Sequence, residues 1–165
     1  LPDYPAMHSE AGIAVGFCQL ELAIQPALAG IKHLNRLEQV LLRRELVEQP
    51  GCAEAVVCDS EGRVVEGVFS NLFLVRDGVL ITPDLARCGV RGVLRDALLD
   101  AASDAGLPVR IGTVSLTDCS EADEWFFCNS VYGIWPVRRW GERAWRPGPI
   151  TRQCQDMIAA WFSPA

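Results

Sequence analysis

Four short apolar runs between residues 54 and 82, each closed by polar residues and glycine, limit what this chain can fold into. Glu54 to Cys58 and Arg63 to Val68 read as strands joined by Asp59-Ser60-Glu61-Gly62, a hairpin turn with glycine late in the loop. Asn71 to Val75 is a third strand, turning at Arg76-Asp77-Gly78 into Val79 to Thr82. Runs this short, enriched in valine and phenylalanine, suit strands rather than helices. The reading is an antiparallel meander.

The flanking segments supply further strands and some helices. Residues 13–24 partly alternate and stop at Gln25-Pro26, as a strand would. Beyond Leu34 the apolar positions Leu37, Val40, Leu41 and Leu42 follow a helical period that runs out before Pro50-Gly51, so Lys32 falls at a strand-to-helix junction. Cys88-Gly89-Val90-Arg91-Gly92 opens a helix with Val93, Leu94, Ala97, Leu98 and Ala101 on one face, closed by Gly106. Val109 to Val114 and Glu124 to Cys128 read as strands, separated by the acidic stretch Thr117 to Asp123 with room for one or two helical turns. Residues 134–137 follow, then an amphipathic helix from Thr151 to Phe162. Strands outnumber helices, which makes the fold α+β with a mostly antiparallel sheet. Leu1 to Pro5 reads as a linker, and the chain opens on leucine, so a preceding segment is expected.

Composition narrows the function. The chain is one domain in size, 165 residues and half apolar. A net charge of -6 without basic runs argues against nucleic acid, while leaving room for a local positive pocket. No stretch is long and apolar enough for a membrane span, and no signal-peptide pattern opens the chain; a soluble, cytoplasmic protein is expected. Seven cysteines without C-x-x-C spacing and only two histidines, His8 and His33, suggest neither a disulfide framework nor zinc. Most of these thiols sit in apolar runs and read as small buried groups. Among fifteen basic residues there are fourteen arginines and one lysine, Lys32. A compositional bias toward arginine codons is the plain alternative. A lysine retained against that bias can still do what arginine cannot, which is to lose a proton and attack a carbonyl.

Four local features could assemble one site, and each has a plain alternative. Lys32 could be a solvated lysine. Glu66, inside Val64-Val65-Glu66-Gly67-Val68, could face solvent on the pleat. Gly89-Val90-Arg91-Gly92 could be a simple cap, although free N–H groups at a helix start also seat a phosphate. Asn129 and Ser130, at a strand end, could serve a turn.

Taken together they resemble a family. Ala29-Gly30-Ile31-Lys32-His33-Leu34-Asn35-Arg36-Leu37-Glu38 resembles the lysine segment of the 4-amino-4-deoxychorismate lyases, within the aminotransferase class IV family of pyridoxal-phosphate enzymes. Val65-Glu66-Gly67-Val68-Phe69-Ser70-Asn71-Leu72-Phe73 is similar to that family's glutamate strand, and Gly89-Val90-Arg91-Gly92 to its phosphate turn. Asp123 to Ser130, with Pro136-Val137 beyond, is similar to its last active-site strand, and the four segments come in the family's order. The resemblance implies the family's larger domain, a mostly antiparallel, barrel-like sheet with surrounding helices at residues 13–165. It implies a linker at residues 1–12, a smaller N-terminal domain absent from this chain, and a homodimer.

The resemblance also implies roles. Lys32 would bind pyridoxal 5'-phosphate and then move protons as base and acid. Glu66 would pair with the pyridine nitrogen, and the N–H groups of Val90 and Arg91 with the Ser130 hydroxyl would hold the phosphate, Ser70 assisting. Asn129 would contact substrate or support a residue that does. His33-Leu34-Asn35-Arg36 and Cys128-Asn129 resemble the lyases, so the expected reaction converts 4-amino-4-deoxychorismate to 4-aminobenzoate and pyruvate, toward folate. The lysine, glutamate and turn are shared with branched-chain and D-amino-acid aminotransferases, the alternative. Arg91 or Arg138 would attract the dicarboxylate substrate. Without the smaller domain the piece itself is expected to be inactive, and a non-catalytic fragment with an exposed apolar face is the reading from another class.

Overall fold

The computed structural model describes residues 4–162, so Leu1 to Asp3 of the expected linker lie outside the described residues. The elements run α1 (Met7–Glu10), β1 (Ile13–Phe17), α2 (Leu37–Val47), β2 (Glu54–Cys58), β3 (Val64–Gly67), β4 (Asn71–Arg76), β5 (Val79–Pro83), α3 (Val93–Asp104), β6 (Val109–Gly112), α4 (Leu116–Glu121), β7 (Glu124–Asn129), β8 (Gly133–Trp140), β9 (Arg143–Ala144) and α5 (Pro149–Ile158). A short 3₁₀ turn, Ala159–Trp161, closes the series.

Eight strands form one path, β3-β2-β1-β8-β7-β4-β5-β6, with β9 added to β8. The strands themselves fall where the apolar runs placed them, but they do not form a meander. β3 pairs only with β2 at one end of the path, while β4 pairs with β5 and β7. Parallel pairing of β1 with β2 and β8, and of β5 with β6, makes the sheet mixed, with antiparallel pairs in the majority. The path curls until its ends meet: Val64 N–H donates to the Val114 carbonyl at 2.9 Å just beyond β6. The result is the expected barrel-like α+β domain.

Strand faces explain the curl. Leu72 and Leu74 of β4 join Val56, Trp125, Phe127 and Trp135 in one cluster, whereas Phe73 and Val75 join Phe126, Leu94, Leu98 and Ile158 in another. Alternate side chains thus fill the interior and the seat of α3 and α5, so β4 is buried on both faces. α2 is held separately, by Leu42 and Leu46 against Ala55, Val57 and Val65. Six of the seven cysteines are buried and none is disulfide-bonded. Burial pushes the Cys18, Cys119 and Cys154 thiols up to about 12, which keeps them inert. Among the described residues no helix is long and apolar enough to cross a membrane.

β1 stops at Phe17, short of the expected residue 24. Lys32 therefore rides on a long connection to α2. That connection is pinned where it matters: Gly30 N–H donates to the Gly89 carbonyl at 2.9 Å and Arg91 N–H to the Gly30 carbonyl at 3.0 Å, a two-bond bridge between the lysine segment and the loop before α3.

Candidate active site

The expected site residues meet. Lys32, Glu66, Ser70, Val90, Arg91, Asn129 and Ser130 all line one cavity of about 200 Å³, together with Arg36, Asn71, Gly92, Val93 and Leu94. A larger cavity of about 440 Å³ opens on the other side of the lysine segment, but it includes neither Lys32 nor Glu66.

Glu66 comes from β3, where its pairing with Val57 sets the register, and it is 5 % exposed, so it does not face solvent. Its Oε2 accepts the Val90 N–H at 2.8 Å, and Oε1 has no protein donor among the described residues. Burial pushes its carboxyl up to about 7, against the Val90 bond and the charges of Arg36 and Lys32, which pull it down. Gly89 makes the approach possible. At φ +85° it adopts a left-handed backbone, and a Cβ there would stand 2.6 Å from Val65 Cγ1.

The phosphate role expected of the Val90 and Arg91 N–H groups does not fit this geometry. Val90 gives its N–H to Glu66, and Arg91 gives its own to Gly30. Free donors lie three residues on. The first helical bond of α3 runs from Asp96 N–H to the Gly92 carbonyl, so the N–H groups of Val93, Leu94 and Arg95 precede the ladder, and no side chain caps them. All three residues line the cavity. An uncapped helix start facing a cavity suits a phosphate through its donors and its dipole.

Two further residues are already engaged by the protein. Ser70 Oγ donates to Glu54 Oε2, and Glu54 Oε1 accepts the Val68 N–H at 2.8 Å, so Ser70 is engaged beneath the cavity. Asn129 spends its amide locally, Nδ2 donating to the Phe69 carbonyl at 3.2 Å and Oδ1 accepting from Val131 and Tyr132 N–H. It shapes the rim, and one N–H of Nδ2 is left over. Ser130 is exposed at that rim. Arg91 pairs with Asp96 at 2.8 Å, and Arg138 lines neither this cavity nor the one beside it.

Sequence reasoning missed Glu54 and Asn71. Asn71 Nδ2 donates to the Val90 carbonyl at 2.7 Å while Oδ1 accepts the Gly92 N–H at 3.1 Å, clamping β4 to the turn before α3. The glycine at 92 was the available signal, since a Cβ there would stand 2.2 Å from Asn71 Oδ1.

The family profile described as Amino-transferase class IV matches residues 2–140. The chain belongs to the class IV aminotransferase family. An aminodeoxychorismate lyase of Vibrio harveyi is 41% identical over 128 residues, which are 78% of this chain and 47% of the relative. A probable branched-chain-amino-acid aminotransferase of Thermotoga maritima is 37% identical over 134 residues, 79% of this chain and 47% of its own length. The crystal structure of 4-amino-4-deoxychorismate lyase from Pseudomonas aeruginosa matches with a TM-score of 0.93 at 51% identity, over 98% of this chain and 59% of that one. The chain thus spans about half the length of the curated relatives it matches. Within the class IV family, its fold is that of the matched part of the Pseudomonas lyase.

Proposed function

We propose that this chain is the cofactor-holding part of a pyridoxal-phosphate lyase that converts 4-amino-4-deoxychorismate to 4-aminobenzoate and pyruvate, a soluble, cytoplasmic step toward folate that works as a homodimer. One observation carries the reading: a single cavity presents the only lysine, a buried carboxylate and an uncapped helix start. Those three groups match an aldehyde, a ring nitrogen and a phosphate on one molecule. The similarity to two lyases favours this reaction over transamination.

Bound pyridoxal phosphate supplies an electron-poor ring that stabilises negative charge at a neighbouring carbon. Lys32 would hold the cofactor's aldehyde carbon until the substrate's own amine takes its place, and the freed lysine amine would then accept the substrate's ring proton. Glu66, buried and with no protein donor on Oε1 among the described residues, would pair with the ring nitrogen and keep it protonated. The Val93 and Leu94 N–H groups would hold the phosphate, with Ser130 at the rim. As the ring proton leaves, the bond from ring carbon to enolpyruvyl oxygen breaks, the ring becomes aromatic, and the released enol takes up a proton to give pyruvate.

The test is made on the purified protein that carries this chain. Borohydride added after pyridoxal phosphate fixes the cofactor, and peptide mapping is expected to find it on Lys32; labelling elsewhere sinks the site. Pyruvate and 4-aminobenzoate are expected in equal amounts with no keto acid present. A requirement for an amino-acid donor and a keto-acid acceptor would instead establish the aminotransferase, the reading that the Thermotoga relative supports.

A further inference from the structure

Beside the cofactor cavity lies a second space of about 550 Å³ with a different charge. It shares Lys32, Arg36, Val68, Phe69 and Asn129 with the first, so the two are ends of one space with the lysine between them. Its lining holds three cations, Lys32, Arg36 and Arg43, and no carboxylate, in a chain whose net charge is -6.

Helix periodicity builds this wall. Arg36, Gln39, Val40 and Arg43 stand at i, i+3, i+4 and i+7, one face of α2 with its N-cap, and all four line the space. The two arginines start about 10 Å apart along the axis, seven residues at ~1.5 Å each. Arg43 lies over the Phe69 ring, Cζ 5.0 Å from its centroid, which holds the guanidinium toward the space. Arg36 Nη1 is enclosed without an acceptor, and its charge acts on Glu66 at the boundary of the two cavities. Neither arginine takes part in an ion pair among the described residues. Arg36, partly buried with Nη1 enclosed, favours an anion, and with the exposed Arg43 held beside it over Phe69 the two cations favour two anionic groups.

We propose that Arg36 and Arg43 form the substrate's carboxylate subsite, each guanidinium taking one carboxylate of a small dianion. The inference rests on the lyase reading only for the identity of that dianion. It also bears on specificity: a branched-chain amino acid has one carboxylate and an apolar side chain, and would leave one of the two cations unpaired.

The test titrates the purified protein, loaded with pyridoxal phosphate, with isophthalate, a cyclic dicarboxylate that cannot react, and with benzoate, by calorimetry. Isophthalate is expected to bind more tightly than benzoate. Arg43→Gln should weaken isophthalate about tenfold, the worth of one charge-assisted hydrogen bond, with Arg43→Lys recovering part of it. The cofactor's visible absorption should be unchanged, and KM for the substrate should rise while kcat holds within about twofold. Arg36→Gln should weaken isophthalate as well, with any loss of cofactor read separately from the absorption. Equal isophthalate affinity in the wild type and both glutamine variants would overturn the subsite, as would benzoate binding as tightly as isophthalate. If no pyruvate is released yet isophthalate depends on the arginines, the lyase reading fails and the subsite stands.

Discussion

Asn71 shows how one side chain can govern a site it need not touch chemically. It is 6 % exposed, and both ends of its amide are bonded to the turn that places Glu66's partner N–H and the start of α3. Asn71→Ala leaves the Val90 carbonyl and the Gly92 N–H without partners, at a cost of about 1–3 kcal/mol each where water cannot reach them. The variant is expected to lose about 2 kcal/mol of stability, read as a lower thermal midpoint, and to bind pyridoxal phosphate more weakly. Asn71→Asp sharpens the test. It keeps the acceptor for Gly92 but sets a carboxylate beside the phosphate seat, so cofactor affinity should fall further than in Asn71→Ala; equal affinities would argue against a phosphate there. Lys32 was legible in the sequence because it breaks a composition of arginines. Asn71 was not, because an asparagine after a serine reads as an ordinary turn residue until its bonding partners are known.

At the scale of elements, the start of α3 can be probed through its backbone. Gly92 is extended at φ -70°, ψ 141°, the conformation a following proline requires, and Val93 is the first helical residue. Val93→Pro therefore removes one uncapped N–H with little strain. It is expected to leave the thermal midpoint within a few degrees while weakening inorganic phosphate and pyridoxal phosphate about tenfold, one charged hydrogen bond. Unchanged binding would move the phosphate away from α3. The same helix marks the limit of sequence reading. Its apolar face, Leu94 and Leu98, and its start after Gly92 were legible from spacing alone. Which N–H groups stay free was not, because Val90 and Arg91 lose theirs to Glu66 and Gly30, partners distant in the chain. The false meander has the same origin: strand runs are local, whereas β4 finds β7 through about fifty intervening residues by burying both faces.

The whole molecule carries two buried carboxylates in one electrostatic neighbourhood, which makes its stability a function of pH. Glu54 is 0 % exposed and burial pushes it up to about 7, against bonds from Ser70, Ala55 and Val68. Glu66 is likewise raised to about 7, partly by Glu54. Cys18 and Tyr132 also feel the Glu54 charge, and Lys32 and Arg36 that of Glu66. In the unfolded chain both carboxyls ionise near the ordinary value of 4.5. Between 4.5 and about 7 the folded chain therefore holds more protons than the unfolded one, so stability is fully present below 4.5 and falls as pH rises through about 7. The loss should amount to several kcal/mol, since a tenfold difference in proton affinity corresponds to about 1.4 kcal/mol and each site rises from 4.5 to about 7, partly through the other. Urea unfolding of the cofactor-free protein at a series of pH values should show the midpoint falling across that window. Glu54→Gln keeps the shape and removes one ionisation, so its profile should be flatter than that of the wild type; parallel profiles would show that Glu54 does not titrate there. Added pyridoxal phosphate should restore stability most on the alkaline side, where an ionised Glu66 can meet a protonated ring nitrogen. A restoration independent of pH would separate Glu66 from the ring.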